Sequence, residues 1–380
     1  MLTRFRVQGF KSLLDVELEL APLVVLMGPN ASGKSNLLEA LLLLSRLATE
    51  QTLSAAFAPP LRGYPLEAFS LPEGGLEGLL QQDHEDLMLE AVFQAPREDQ
   101  PESRTLSYRV GVRIQPKTGA LEATGTYLDG IPINDILVSS RPFTDSHMLL
   151  HGEFATWQTY YLDPRVAMRE PQPPREVAEI GSRGEWVAPF LHRLKESKRH
   201  SKYFRAIGRA LQQAIPTIES LDVDLDPRRG TLDIVIRQDG TPYSSRVVSE
   251  GTLRVLALCC LAANPWPGKL VAFEEPENGV HPRRIEVIAD LLASMASEGR
   301  SQVVVTTHSP TLIAAMLQKS HETPGQIKLF RCSQVGRATQ VKPFEISEPL
   351  LNDPEIREAL TGPEDAQVVE ALLKRGWLDG

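Results

Sequence analysis

Gly28-Pro29-Asn30-Ala31-Ser32-Gly33-Lys34-Ser35-Asn36 follows the apolar run Leu23 to Met27 and opens a helix-forming stretch that runs to about Thr49. Glycine, four residues, then Gly-Lys-Ser completes the Walker A pattern, and an apolar strand before it with a helix after it is the context that confirms the pattern. Gly28 and Gly33 let backbone amides curl around a phosphate, and the helix start adds its positive dipole end. Lys34 is placed to reach the β and γ phosphates and Ser35 to offer its hydroxyl to Mg²⁺. ATP and Mg²⁺ are therefore the expected ligands, with residues 28–36 as the phosphate site.

Two further segments fit that chemistry. Leu270-Val271-Ala272-Phe273-Glu274-Glu275 is an apolar strand ending in two acids, placed as a Walker B strand. Glu274 is expected on the Mg²⁺ side, although Asp is usual there, which leaves a direct or water-mediated role open. Glu275 is expected to orient or deprotonate the attacking water, because phosphoryl transfer needs a positioned nucleophile more than covalent chemistry. His308 ends a second apolar strand, Val303 to Thr307, from which an imidazole can reach and sense a γ-phosphate. A lone histidine is more often structural; the Walker pair upstream turns the reading toward function.

Outward from these motifs, residues 2 to 28 alternate apolar and polar as three short strands, and residues 51 to 85 are punctuated by Pro and Gly as a loop or irregular insertion. Runs such as Leu87 to Phe93, Thr105 to Ile114 and Ala120 to Leu128, divided by turn signals including Asp129-Gly130, predict an antiparallel β lobe. Helical sequence from Gly184 to Ala214 precedes strands over Thr217 to Val248. From Ser249 on, apolar strands alternate with helices, the mark of a parallel α/β core covered on both faces. The expected division is 1–50 (ATPase lobe with Walker A), 51–248 (inserted β and helical region), 249–335 (ATPase lobe with the remaining motifs) and 336–380 (C-terminal strand and helices).

Composition narrows the class. With 380 residues, 42% hydrophobic and 23% charged, the chain reads as a soluble globular protein of more than one lobe, and a net charge of -9 argues against a uniformly cationic nucleic-acid binder. Cys259, Cys260 and Cys332 offer neither a disulfide framework nor zinc spacing. No secretion signal or membrane segment is expected, and a reducing cytoplasm is the expected location.

Phe10-Lys11-Ser12, Gly33-Lys34-Ser35-Asn36, Ser249-Glu250-Gly251-Thr252, Glu274-Glu275-Pro276-Glu277-Asn278-Gly279-Val280-His281-Pro282 and Thr307-His308-Ser309-Pro310 together resemble the ATPase heads of the ABC superfamily. The resemblance is to the branch of RecF, SMC and the overcoming-lysogenization-defect (OLD) proteins, and it covers most of the chain. It implies a P-loop NTPase fold with a mixed β-sheet core, an antiparallel β lobe and an inserted helical region. It also implies that Ser249, Glu250 and Gly251 form a signature motif capping nucleotide held by a second protomer, in a head-to-tail homodimer. Residues 276–281 would be the D-loop; His281 has no assigned role. The chain departs from the pattern in three ways. Thr252 stands where a transporter signature has a second glycine, the Q-loop glutamine has only Gln94 and Gln158 as weak candidates, and the roughly seventy residues after His308 contain no Asp-x-Asp pair of a Toprim nuclease. A regulatory ATPase controlling a separately encoded nuclease or toxin, or engaging DNA, in anti-phage defence or DNA repair is the function implied. A non-catalytic scaffold clamped by ATP is the alternative.

Two weaker signals remain. Asp222, Asp224 and Asp226 alternate on one strand, either as a metal site or, preferably, as the polar face of a hairpin. Arg193, Lys195, Lys198, Arg199, Lys202, Arg205 and Arg209 stand against the single acid Glu196, as a DNA or RNA contact, an acidic-partner contact or a solvated face.

Overall fold

The computed structural model describes residues 1–97, 100–133 and 145–344. The chain divides into two compact units, one formed by Met1–Trp157 with the chain from Ser320 onward, the other by Gln158–Lys319.

In the first unit a six-stranded antiparallel sheet runs in the order Leu13–Glu19, Leu2–Phe10, Glu85–Arg97, Gln100–Gln115, Ala120–Leu128, Ile131–Ile133. Alternation sets its faces: Leu2, Phe5, Val7 and Phe10 are buried while Arg4 and Arg6 turn outward to Glu90 and Asp15. The turn Asp129-Gly130 takes positive φ at both residues, the geometry a tight hairpin demands. The phosphate-loop strand Leu23–Met27 pairs in parallel with Ile327–Val335, whose other edge carries Ala338–Pro343 antiparallel. All five residues of Leu23–Met27 are buried, which is why that run shows no alternation. The helix Lys34–Thr49 begins and ends as the sequence predicts.

The insertion 51–85 is more regular than its Pro and Gly content predicts. It holds the short helices Leu53–Ala56 and Gly75–Leu80 and a 3-10 turn at Pro65–Ala68. Buried Phe57 and Phe69, stacked at 5.9 Å, anchor it, and Lys11 and Ser70 amides donate to the Ala68 and Gly9 carbonyls. Two large apolar residues outweigh the local breakers.

In the second unit Gln158–Tyr160, Leu270–Glu274 and Gln302–Thr307 run parallel, with Glu274 in register with Thr306. The helices Glu250–Ala262, Ile285–Ala296 and Pro310–Glu322 alternate with the strands Leu270–Glu274 and Gln302–Thr307, as the pattern predicts. A three-stranded antiparallel sheet, Ile218–Asp226, Thr231–Gln238 and Thr241–Ser244, buries Leu221, Val223, Leu232, Ile234 and Ile236 beneath the helices Val187–Glu196 and Ser201–Ala214. Among the described residues no helix is long and apolar enough to cross a membrane. The helices expected beyond residue 344 lie outside the described residues.

Candidate active site

The phosphate loop is built around its own lysine. Lys34 is 6% exposed, and its Nζ donates to the carbonyls of Gly28 at 2.8 Å and Pro29 at 2.7 Å, so the ammonium sits inside the curl. Ala31 and Gly33 take positive φ (66° and 91°), the conformation that turns successive amides to one side. Gly33 is fixed by space as well, because a Cβ there would lie 1.9 Å from Thr339 Oγ1. The Ser32 hydroxyl is buried without a partner among the described residues, and Pro29 and Asn30 are exposed at the rim. An orphaned buried hydroxyl beside a lysine and a curl of amides fits a phosphate. Ser35, in the first helical turn, is half-buried and is an oxygen donor of the kind Mg²⁺ takes.

Asn36 Nδ2 donates to Ser12 Oγ at 2.8 Å, Ser12 Oγ lies 2.7 Å from Thr339 Oγ1, and the Thr339 amide donates back to the Ser12 carbonyl. The Phe10-Lys11-Ser12 segment thus braces the loop. One turn further along, the fully buried Glu39 accepts from Lys11 and Arg62. Burial pushes its carboxyl up, but the Arg62 and Lys11 hydrogen bonds outweigh that and hold it below the ordinary value. A cleft of about 890 Å³ opens here, lined by Lys11, Ser12, Asn36, Arg62, Phe69 and Arg337. Arg62 and Arg337 lie in segments without a motif, and no local sequence signal marks them.

In the second unit the two acids close the Leu270–Glu274 strand as expected, and the turn after it is strained. Glu275 has φ 46°, a left-handed conformation that costs a non-glycine residue about 1–2 kcal/mol. Its amide donates to the Thr306 carbonyl at 3.1 Å, which holds the turn. Its Oε1 lies 2.6 Å from His308 Nδ1. Carboxylate and imidazole therefore form a dyad, an arrangement the sequence reading of His308 as a lone phosphate sensor did not contain. Glu277, 6% exposed, accepts from the Thr307 hydroxyl, and burial raises its carboxyl above the ordinary value. His281 caps the Pro282–Arg284 turn by accepting from the Arg283 amide.

Ser249 is the N-cap of Glu250–Ala262, its Oγ accepting from the Thr252 amide at 3.2 Å. Gly251 is required by close approach, since a Cβ there would stand 2.8 Å from the Gly279 carbonyl. The signature segment and the 276–281 turn are thereby packed backbone to backbone. Of the glutamine candidates, Gln94 donates to Thr105, and Gln158 bridges Tyr160 and Glu179.

The cationic residues sort into two sets, with Lys198 and Arg199 in the turn between the helices Val187–Glu196 and Ser201–Ala214. Arg193 lies 4.0 Å from the Trp266 ring centre and bonds Glu176 and the Val177 carbonyl; Lys195 bonds Asp222 and the Val223 carbonyl. Lys198, Arg199, Lys202, Arg205 and Arg209 are exposed and make no ion pair among the described residues. Asp226 accepts from the turn amides of Arg228 and Arg229. Asp222 and Asp226 are thus engaged by the fold itself.

Comparison with known proteins bears on the fold. The family described as "AAA domain, putative AbiEii toxin, Type IV TA system" matches residues 137–314, and the family described as "AAA ATPase domain" matches residues 1–88. No curated protein matches the sequence. Among solved structures, an SMC head bound to the C-winged helix domain of ScpA aligns with TM-score 0.58 at 18% identity, over 92% of this chain and 99% of that one. The Pyrococcus furiosus Smc head with an extended coiled coil, bound to the C-terminal domain of ScpA, aligns with TM-score 0.56 at 14% identity, over 94% and 99%. The Pyrococcus yayanosii Smc head with a coiled coil and joint gives 0.54 at 11%, over 91% and 97%. At such identities the likeness is one of fold. The fold is therefore that of an SMC ATPase head, a P-loop NTPase fold, and ATPase-domain families match two parts of the chain.

Proposed function

We propose that this protein binds and hydrolyses ATP with Mg²⁺, and that ATP-dependent pairing of two copies controls a separate effector or the engagement of DNA. The observation that carries hydrolysis is the Glu275–His308 dyad, held in a strained turn directly after an apolar strand. Strain kept at a carboxylate with an imidazole on it suits a general base better than a structural surface pair. Lys34 and the loop amides grip the phosphates, Ser35 and Glu274 supply oxygens for Mg²⁺, and Glu275 takes the proton of the attacking water while His308 orients it. Bound Mg²⁺ contributes neutralisation of phosphate charge. Steady ATP turnover by the purified chain tests this reading; nucleotide binding without turnover would support the ATP-clamped scaffold instead.

Ser249, Glu250 and Gly251 are the residues that meet the nucleotide of the second copy. Ser249→Arg is expected to leave ATP binding intact and to keep the heads apart, since it puts bulk at the helix cap. Sedimentation of this variant with ATP checks it; pairing as in the parent would remove the sandwich. Two of the SMC heads above are bound to a partner protein and one family description names a toxin system, which supports a separate effector, nuclease or toxin. Anti-phage defence or DNA repair in the cytoplasm is the setting this suits.

Lys198, Arg199, Lys202, Arg205 and Arg209 form the face offered to DNA or RNA phosphates. Replacing the first four by alanine is expected to weaken DNA binding, and to reduce the slope of log affinity against log salt by roughly 3–4, at about 0.9 per phosphate contact on a duplex. Basal ATP turnover is expected to stay unchanged. Unaltered binding of DNA and RNA by this variant would make the face a solvated one.

A further inference from the structure

The signature helix begins with a charge of the wrong sign for its proposed task. Glu250 is the first helical residue after the Ser249 cap. A carboxylate there suits the helix dipole, but it would repel a phosphate brought to the same end. Arg165 cancels it, with Nε 2.8 Å from Glu250 Oε1.

Arg165 is held for more than that pairing. Asp163 Oδ1 accepts from the amides of Arg165 at 3.2 Å and Val166 at 3.1 Å, and Arg183 bonds the other oxygen of Asp163. Burial raises the Asp163 carboxyl, but the Arg183 and backbone hydrogen bonds prevail and keep it below the ordinary value, so it is ionised in this role. Arg169 then stitches the turn to the segment entering the signature. It donates to the Pro164 carbonyl at 2.7 Å and to the carbonyls of Ser245, Arg246 and Val248 at 3.1, 2.5 and 2.8 Å. These bonds fix the backbone of Arg165 beside Ser249 while its side chain stays 78% exposed. The two terminal guanidinium nitrogens make no hydrogen bond among the described residues. An exposed ion pair adds about 0–1 kcal/mol of stability, too little to explain so much scaffolding.

We propose that Arg165 is an arginine finger acting in trans, placing its outer guanidinium nitrogens on the γ-phosphate bound by the Lys34 loop of a second copy. This rests on the ATP-sandwich reading above. In the reaction the water oxygen bonds to the γ-phosphorus as the bond to the bridging β-γ oxygen breaks. The water proton passes to Glu275, ADP leaves with the electron pair, and Arg165 exchanges no atom, holding only the charge that develops on the phosphoryl oxygens.

Mixing tests it. Arg165→Ala is expected to keep ATP affinity within about threefold and to lose at least ~100-fold in kcat, an arginine finger being worth about 10³–10⁵. Glu275→Gln, which still binds ATP and pairs, is nearly inactive alone. In an equal mixture, heterodimers join the intact loop and Glu275 of one chain to the intact Arg165 of the other, and random pairing restores roughly a quarter of parental turnover. No recovery on mixing, or an Arg165→Ala chain as fast as the parent, overturns the proposal. So does full rescue of Arg165→Ala by Glu250→Gln, which would make Arg165 a neutraliser only. An inactive parent would instead strike the ATPase reading itself.

Discussion

Lys34→Ala is expected to abolish measurable ATP binding, weakening it by more than ~100-fold. The ammonium is nearly sealed inside the loop and already satisfied by two carbonyls, so it is placed before any ligand arrives and loses little freedom on binding. Hydrogen bonds from a charged donor to phosphate are worth about 1.5–3 kcal/mol each, and removing the lysine also leaves the Gly28 and Pro29 carbonyls turned toward an anion. Calorimetric titration with ATP measures it, with circular dichroism to verify folding. An unchanged affinity would remove the phosphate loop from the site.

Glu275→Gln is expected to keep ATP affinity and to lower kcat by about 10²–10⁴, the range a general base supplies. The amide is nearly isosteric. It preserves the backbone bond to Thr306 and can still bond His308, so what is lost is basicity. A variant that lost affinity in proportion to turnover would show that the turn, and not the carboxylate, had failed.

How much of this was legible in the sequence depends on the distance over which each feature acts. The loop Gly28 to Asn36, its strand and its helix are local, and residue type sets them one by one; the bounds of Lys34–Thr49 fall where the pattern puts them. The parallel core follows from apolar runs alternating with helices. The Glu275–His308 dyad escaped because 33 residues separate its members, and it needs the register of Glu274 with Thr306 to bring the residues following each strand together. The inward turn of Arg193 and Lys195 depends on Glu176, Trp266 and Asp222, none of them on the same helix. Arg62 lies in a segment whose Pro and Gly signal only irregularity, and its partner Glu39 stands 23 residues away on the Lys34–Thr49 helix. In each case pairing across the fold decided what local pattern left open.

The claim at the centre is that ATP brings two copies together, and the mass of the Glu275→Gln chain in solution tests it most directly. Light scattering without nucleotide is expected to give the monomer, 42.1 kDa, and with Mg²⁺ and ATP twice that. Adding Lys34→Ala or Ser249→Arg to the same chain is expected to hold it at the monomer mass. A chain that binds ATP yet keeps the same mass with and without it, at every protein concentration tried, would contradict the ATP-paired head.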